Sequence, residues 1–312
     1  KTMFISIIIL LVGLSVLLIS AERMIEYSDQ VAKYYKISPI LIGLTLVAFG
    51  TSAPELVITL FASLNTPPNT DAITGNVVGS NIANILLILG FSGLFYNLDF
   101  GKITKKEIIY VGIVSFYFSI AFFLIDKVTY LYISGFIILI LFFYNYIKNY
   151  PLENSNDPTT SLSFKTYIYL ILSFIGLFYG GKLFLFQSLS IFKSIGISEA
   201  IIGITVLAIG TSLPELATVL TSYFKKKGDI GIGNIIGSNI MNLLFVFAPG
   251  ILIVELRGFD FNISSFNKEL IIVFIISTII LIILKFLRII LSRWLALILL
   301  ICYFAYIIRI LL

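Results

Sequence analysis

The sequence predicts an all-α polytopic membrane protein of ten transmembrane helices, arranged as two inverted five-helix repeats. Three observations carry that prediction. The first is composition: 59% of the 312 residues are hydrophobic and 12% charged, where a soluble domain has roughly 25% charged residues. Mean hydropathy is +1.08. The second is continuity, because apolar runs of eighteen or more residues recur from end to end. Such runs span the hydrocarbon core as helices and lack the period-two alternation of a membrane β-barrel. The third is a pair of motifs that occurs once in each half of the chain, in the same order.

Ten apolar segments follow one another near 3–20 (continuing toward 35), 38–64, 72–97, 104–125, 129–148, 166–190, 198–224, 229–254, 267–286 and 291–311. The first is read as a span rather than a signal peptide, because it runs on into a tail with Glu22, Arg23, Glu26 and Asp29 and has a counterpart in mid-chain at 166–190. The longest polar stretch, Tyr150 to Ser163, separates a first repeat (1–148) from a second (166–312), with 149–165 as the linker. Orientation follows from Lys and Arg. With the N-terminus outside, the inner loops hold thirteen basic residues and the outer segments six. The bias puts both termini outside a plasma membrane and the linker in the cytoplasm. The Lys225–Lys227 run reads as part of that topology signal.

The inventory removes several chemistries. The chain has no histidine, so it has no Ser-His dyad and no His-ligated zinc or haem. Cys302 is the single cysteine, which excludes internal disulfides and thiolate clusters, and it reads as a packing residue. The net charge of +5 comes from short loops and does not suggest nucleic acid. No cofactor, enzymatic activity or obligatory protein partner is implied; the lipid bilayer is the expected surrounding.

The repeat carries the chemistry. Ile37–Leu56 reads ISPILIGLTLVAFGTSAPEL and Ile197–Leu216 reads ISEAIIGITVLAIGTSLPEL, identical at twelve of twenty positions with an offset of 160. GNVVGSNIAN at 75–84 recurs as GNIIGSNIMN at 233–242, offset by 158. Five spans per half is odd, so the second half enters the membrane from the opposite side. Inverted repeats of this kind place a transport site at their interface near the midplane.

Of the sixteen carboxylates, only Glu55 and Glu215 lie in the middle of apolar spans, and they are repeat equivalents. A charge at the bilayer centre costs at least about 2.5–3.5 kcal/mol, and no Lys or Arg lies in these motifs to neutralise it. Bound cations or protons would. Each Glu follows a proline, Pro54 or Pro214, whose missing N–H frees the carbonyl of Gly50 or Gly210 and disrupts the turn containing Thr51 or Thr211. The result is a cluster of carbonyls, hydroxyls of Thr51, Ser52, Thr211 and Ser212, and one carboxylate per half. All-oxygen sites suit hard cations, and Ca²⁺ takes about 6–8 oxygens. Ser80 with Asn84, and Ser238 with Asn242, share helix faces one turn apart and would line the same cavity. Asn76, Asn81, Asn234 and Asn239 are open to reading as helix bridges or as ion contacts. Gly75, Gly79, Gly233 and Gly237, spaced by four, permit close helix packing. One Ca²⁺, two Na⁺ or two protons would each balance two carboxylates.

At these motifs the sequence resembles the cation/calcium antiporter superfamily, most closely the prokaryotic sodium/calcium exchangers. The resemblance rests on GTSAPEL at 50–56, GTSLPEL at 210–216 and the two GN-x-x-GSN segments. It implies a Ca²⁺ site made by Glu55, Glu215 and the backbone carbonyls of Thr51 and Thr211. Na⁺ would share these groups and add the carbonyls of Ala48 and Ala208 and the hydroxyls of Ser52, Ser212, Ser80 and Ser238. Asn84 matches the polar residue of the family's third span. The implied mechanism is alternating access, with the first and sixth helices sliding on the other eight. Relatives often carry Asp where Asn242 stands, so the central charge here is −2 and a potassium-dependent reading is weakened. Exchange of Na⁺ for Ca²⁺ leads, with Ca²⁺ and Na⁺ as transported substrates. The alternative is Ca²⁺/H⁺ antiport on the same two glutamates. A continuous channel is disfavoured by the single central cluster.

Overall fold

The computed structural model describes residues 2–101, 105–124, 130–149, 162–194, 210–261 and 265–311, and among them it is helical with one isolated β-bridge, Leu98 to Leu291. Helix α1 covers Thr2–Tyr35. A bent pair follows, α2 (Pro39–Thr51) and α3 (Ala53–Leu64), then α4 (Thr70–Phe95). The first half closes with α5 (Lys105–Leu124) and α6 (Tyr130–Lys148). The second half has α7 (Phe164–Ser194), α8 (Leu213–Phe224), α9 (Gly228–Leu256), α10 (Ser265–Phe286) and α11 (Arg293–Leu311). Every expected apolar segment coincides with a helix, the seventh only from Gly210 onward, because 195–209 lie outside the described residues.

Local chemistry sets the helix ends. Ser38 Oγ accepts from Leu41 N at 3.2 Å and Pro39 fills the first helical position, so α2 starts there. Asn69 Oδ1 does the same for α4, accepting from Ala72 N at 2.9 Å. Lys36, Lys226 and Arg288 close α1, α8 and α10 in left-handed conformation (φ 55, 58 and 52°). The next residue then donates back five positions, as Lys227 N does to Ser222 O at 2.7 Å. Arg257 caps the far end of α3, donating to the carbonyls of Ser63 and Asn65 at 2.6 and 2.8 Å.

Burial separates core from periphery. Of the most apolar window of α4, 89% is buried, and of α9 61%; the figures for α1 and α7 are 17% and 28%. Helices α1 and α7 meet each other on the outside of the bundle. A Cβ on Gly13 would lie 2.7 Å from Phe184 N, and one on Gly180 2.7 Å from Leu17 N. The two helices are in backbone contact and run antiparallel. In lipid, where apolar surface gains nothing by association, such small-residue contact supplies dispersion attraction. The remaining outward faces carry exposed apolar residues such as Val12, Ile138, Leu141 and Ile301, as a lipid-facing surface requires. Cys302 is exposed on α11, so it faces outward rather than packing inside.

Helices α2 and α9 lie parallel. A Cβ on Gly233 would run into the Ile40 carbonyl, and one on Gly237 into the Leu44 carbonyl, so residue numbers rise together along both helices. Helix α9 repeats α4, which folds back from α3 and opposes α2. Its parallel run against α2 is what an inverted second half demands. Gly75 and Gly79 meet nothing within 4 Å among the described residues; 203–208, the repeat equivalents of the Gly43–Ala48 stretch that Gly233 and Gly237 pack against, lie outside them.

The Lys225–Lys227 run does more than mark topology. Lys225 pairs with Glu22 and, at 3.1 Å, with Glu26; Lys227 pairs with Asp29 at 2.7 Å. These bridges tie the polar end of α1 to the end of α8.

Candidate ion-binding site

Two helix breaks aim two carboxylates at one point. Ser52 (φ −81°, ψ 7°) ends α2, and Ser212 (φ −89°, ψ 8°) stands in the same conformation before α8. Pro54 and Pro214 fall in the first turns of α3 and α8, where an N–H has no intrahelical partner anyway. The axis turns by 44° between α2 and α3. Glu55 and Glu215 thereby become first-turn residues of new helices, and the exposed N–H ends favour their negative charge. Both are buried, at 0% and 1% exposure. Ser80 links their surroundings, with its hydroxyl 3.1 Å from Glu55 Oε1 and 3.4 Å from Thr211 Oγ1, four residues before Glu215.

Helices α4 and α9 cross between these breaks with three π-helical stretches nearby: Gly43–Val47, Ala83–Ile88 and Asn242–Phe247. A π-turn inserts one residue and is common at functional positions. Asn84 and Asn242 sit at the start of two of them.

The contacts between halves exchange under the repeat. Thr51 Oγ1 lies 3.4 Å from Ser238 Oγ, and Thr211 Oγ1 lies 3.4 Å from Ser80 Oγ. Asn84 Nδ2 donates to Asn239 Oδ1 at 3.0 Å, and Asn242 Nδ2 donates to Asn81 Oδ1 at 2.9 Å. Asn81 also donates to the Asn239 carbonyl at 3.2 Å. Asn81 and Asn239 therefore bridge the helices. Asn84 and Asn242 spend their N–H groups on that bridge.

Seven buried side-chain oxygens of the anticipated residues have no hydrogen-bond partner among the described residues: Glu55 Oε2, both Glu215 oxygens, Ser52 Oγ, Ser212 Oγ, Asn84 Oδ1 and Asn242 Oδ1. Leaving one such group unsatisfied costs about 1–3 kcal/mol, more when charged. Seven acceptors including two carboxylates form a donor set that fits hard cations and is within the range Ca²⁺ takes.

The halves are not identical in detail. Glu55 Oε1 accepts from Ser80 Oγ at 3.1 Å, and Asn76 Nδ2 donates to the Glu55 carbonyl at 2.9 Å and to Thr59 Oγ1 at 3.1 Å. Asn234, the counterpart of Asn76, instead accepts from Thr51 Oγ1 at 3.0 Å, and its Nδ2 has no partner among the described residues. The residue repeating Thr59 is Val219, which offers no acceptor. Thr59 and the split between Asn76 and Asn234 were not anticipated; comparing 59 with 219 would have signalled it. The Ala48 carbonyl accepts from Ser52 N at 3.0 Å and Thr51 Oγ1 at 3.3 Å, so both its lone pairs are engaged. Ala208 lies outside the described residues. Thr45 Oγ1 bonds back to Leu41 O at 2.7 Å and takes no part.

A cavity of about 280 Å³ opens between α3 and α7 and reaches Thr211, Pro54 and Pro214 on the wall of the cluster. A second, of about 440 Å³, lies between α1, the end of α4 and the end of α8, and no oxygen-bearing residue of the cluster lines it.

Comparison with known proteins agrees with this geometry. The family model for the sodium/calcium exchanger protein matches residues 5–148 and 165–312. The chain is 33% identical to CaxA of Alkalimonas amylolytica over 275 residues, covering 83% of this chain and 86% of that one. It is 29% identical to the sodium/calcium exchanger MaX1 of Methanosarcina acetivorans, over 77% of this chain and 80% of that one. A solved structure of the sodium-calcium exchanger NCX_Mj, soaked without Na⁺ and Ca²⁺, superposes with a TM-score of 0.80 at 27% identity, over 98% of this chain and 99% of that one.

Proposed function

The chain belongs to the sodium/calcium exchanger family, and we propose that it exchanges Na⁺ for Ca²⁺ through one cage of oxygens shared by both ions. The observation that carries this reading is the convergence of unpartnered oxygens from both halves, two carboxylates among them, on one buried point.

The cage assigns roles. Glu55 and Glu215 supply the charge that balances one Ca²⁺. The Thr51 and Thr211 carbonyls, on the turns before the breaks, complete its shell. Na⁺ uses the same carboxylates with the Ser52, Ser212, Ser80 and Ser238 hydroxyls, and with the Asn84 and Asn242 amide oxygens. The Ala48 carbonyl joins once the Thr51 hydroxyl turns wholly to Asn234, and Ala208 is its counterpart. One Ca²⁺ or two Na⁺ neutralises the cage, and a third Na⁺ makes the exchange move net charge.

Charge also explains obligatory coupling. Two uncompensated carboxylates in a low-dielectric interior are strongly unfavourable, so an ion-free cage does not cross between sides, whereas a loaded one does. The peripheral placement of α1 and α7 supports the family's mechanism, in which these two helices slide on the rest. The repeats take 1–148 and 166–312, with 149–165 as a cytoplasmic linker and both termini outside the plasma membrane.

The test is Ca²⁺ uptake into vesicles loaded with Na⁺, with pH clamped on both sides. Uptake that rises with the outward Na⁺ gradient is expected. Uptake indifferent to Na⁺ overturns the reading.

A further inference from the structure

The larger surroundings of the cage contain one charge that coordination does not use. Lys182 lies in α7, a helix of 31 residues, and lines the cavity that reaches Thr211, Pro54 and Pro214. The rest of that lining is apolar but for Thr211, with Val57, Phe61 and Phe178 among it. Lys182 is exposed and forms no ion pair among the described residues. Exposed and in the lining at once, it stands at the open rim of that cavity.

The repeat sharpens the observation. At the offset of 160, Lys182 corresponds to Glu22. Glu22 lines the second cavity and is paired there with Lys225. Symmetry-related positions in the two cavities thus carry opposite charges, and only the positive one stands alone.

The geometry points to Lys182 as a specificity-determining residue: a fixed positive charge at one mouth of the cage that discriminates against Ca²⁺ relative to Na⁺ on that side. This rests on the exchange reading above. A local potential weights an ion by its valence, so whatever factor disfavours Na⁺ acts squared on Ca²⁺. Taken at the screening of bulk water and about 10 Å, one charge is worth about twofold for a monovalent ion and so about fourfold for Ca²⁺. Ca²⁺ arriving from the Lys182 side is slowed, and Ca²⁺ leaving there is hastened. The exchanger becomes asymmetric between its two faces although its cage is nearly symmetric.

The experiment begins with wild-type vesicles, whose Na⁺-driven Ca²⁺ uptake establishes the exchange itself. Lys182→Gln is then expected to lower the apparent KM for Ca²⁺ about fourfold and for Na⁺ about twofold from one face, with the other face unchanged. Lys182→Cys in a Cys302→Ser background keeps the test independent of packing. Membrane-impermeant thiol reagents of like size and opposite charge then write either sign onto the site. A cationic adduct should restore wild-type KM values and an anionic one should lower the Ca²⁺ value further. Equal shifts for both ions, equal effects of both adducts, or an introduced thiol that neither reagent reaches overturns the proposal while leaving wild-type exchange intact. Failure of the wild-type flux overturns the exchange reading instead.

Discussion

Glu55 and Glu215 occupy equivalent positions in nearly identical motifs, yet they are held differently. The Glu55 side accepts a hydroxyl from Ser80, and Asn76 clamps its backbone to Thr59. Both oxygens of the Glu215 carboxylate are without a hydrogen-bond partner among the described residues, and the equivalent asparagine has turned across the interface to Thr51. One substitution in the repeat, Thr59 against Val219, accounts for the difference: without the second acceptor, the Asn234 amide has less to hold it beside its own half. The lesson is that sequence symmetry sets where the ligands stand, while a single neighbour sets how firmly each is pinned. The firmer half is a scaffold; the looser half has more to gain from a bound ion.

Five substitutions test that contrast. The largest effect is expected from Glu215→Gln and Glu55→Gln. Each removes half of the compensating charge, and Na⁺-driven Ca²⁺ uptake should fall by about 100-fold or more, on the scale of a lost charged ligand. Both proteins should still elute as monodisperse species, and thermal unfolding should lose its Ca²⁺-dependent upward shift. Retained transport in either variant would remove that carboxylate from the site. Gly237→Ala comes next. Its Cβ would run into the Leu44 carbonyl and lie 2.7 Å from Ala48 Cβ, so α2 and α9 must separate. Overpacking of this kind costs about 1–3 kcal/mol, visible as a lowered Tm and a lower yield of folded protein; an unchanged Tm would deny the contact.

Asn242→Asp adds a third carboxylate on the looser side. The ratio of apparent Na⁺ and Ca²⁺ affinities should change by about tenfold, the size of one added charge–ion contact. Because the new group must be deprotonated to act, the variant's ion preference should converge on the parent's as pH falls. A flat comparison of the two pH profiles would place Asn242 outside the cage. The smallest effect is expected from Thr59→Val, which makes the first half resemble the second. It removes one buried hydrogen bond worth about 1 kcal/mol, and Ca²⁺ uptake should change by less than about threefold. A loss as large as that of the glutamate variants would make Thr59 a ligand rather than a brace.

Much of this was legible beforehand because the repeat marks its own exceptions. Two carboxylates in mid-span, each after a proline, have no comfortable structural reading in lipid, and the hydroxyl and amide positions follow from their spacing. The helix limits were legible for the same reason that apolar length is. The π-turns at Gly43–Val47, Ala83–Ile88 and Asn242–Phe247 were not, because one surplus residue in a helix buried on nearly every side leaves no mark on its periodicity. The exchange of partners between Asn84 and Asn239, and between Asn242 and Asn81, was hidden too, since an amide gives no sign in sequence of which neighbour it will choose. The pairing of Lys225 and Lys227 with α1 was masked by the commoner use of such runs as topology signals.

The backbone contact between α1 and α7 has a mechanical consequence. Gly13 and Gly180 lock two antiparallel rods back to back, and each rod walls one of the two cavities. Under the sliding mechanism proposed above, such a pair would travel as a single carriage: a shift that widened the gap at one end would narrow the gap at the other. Simultaneous opening to both compartments would then be forbidden by rigid coupling alone, without a separate latch at either doorway.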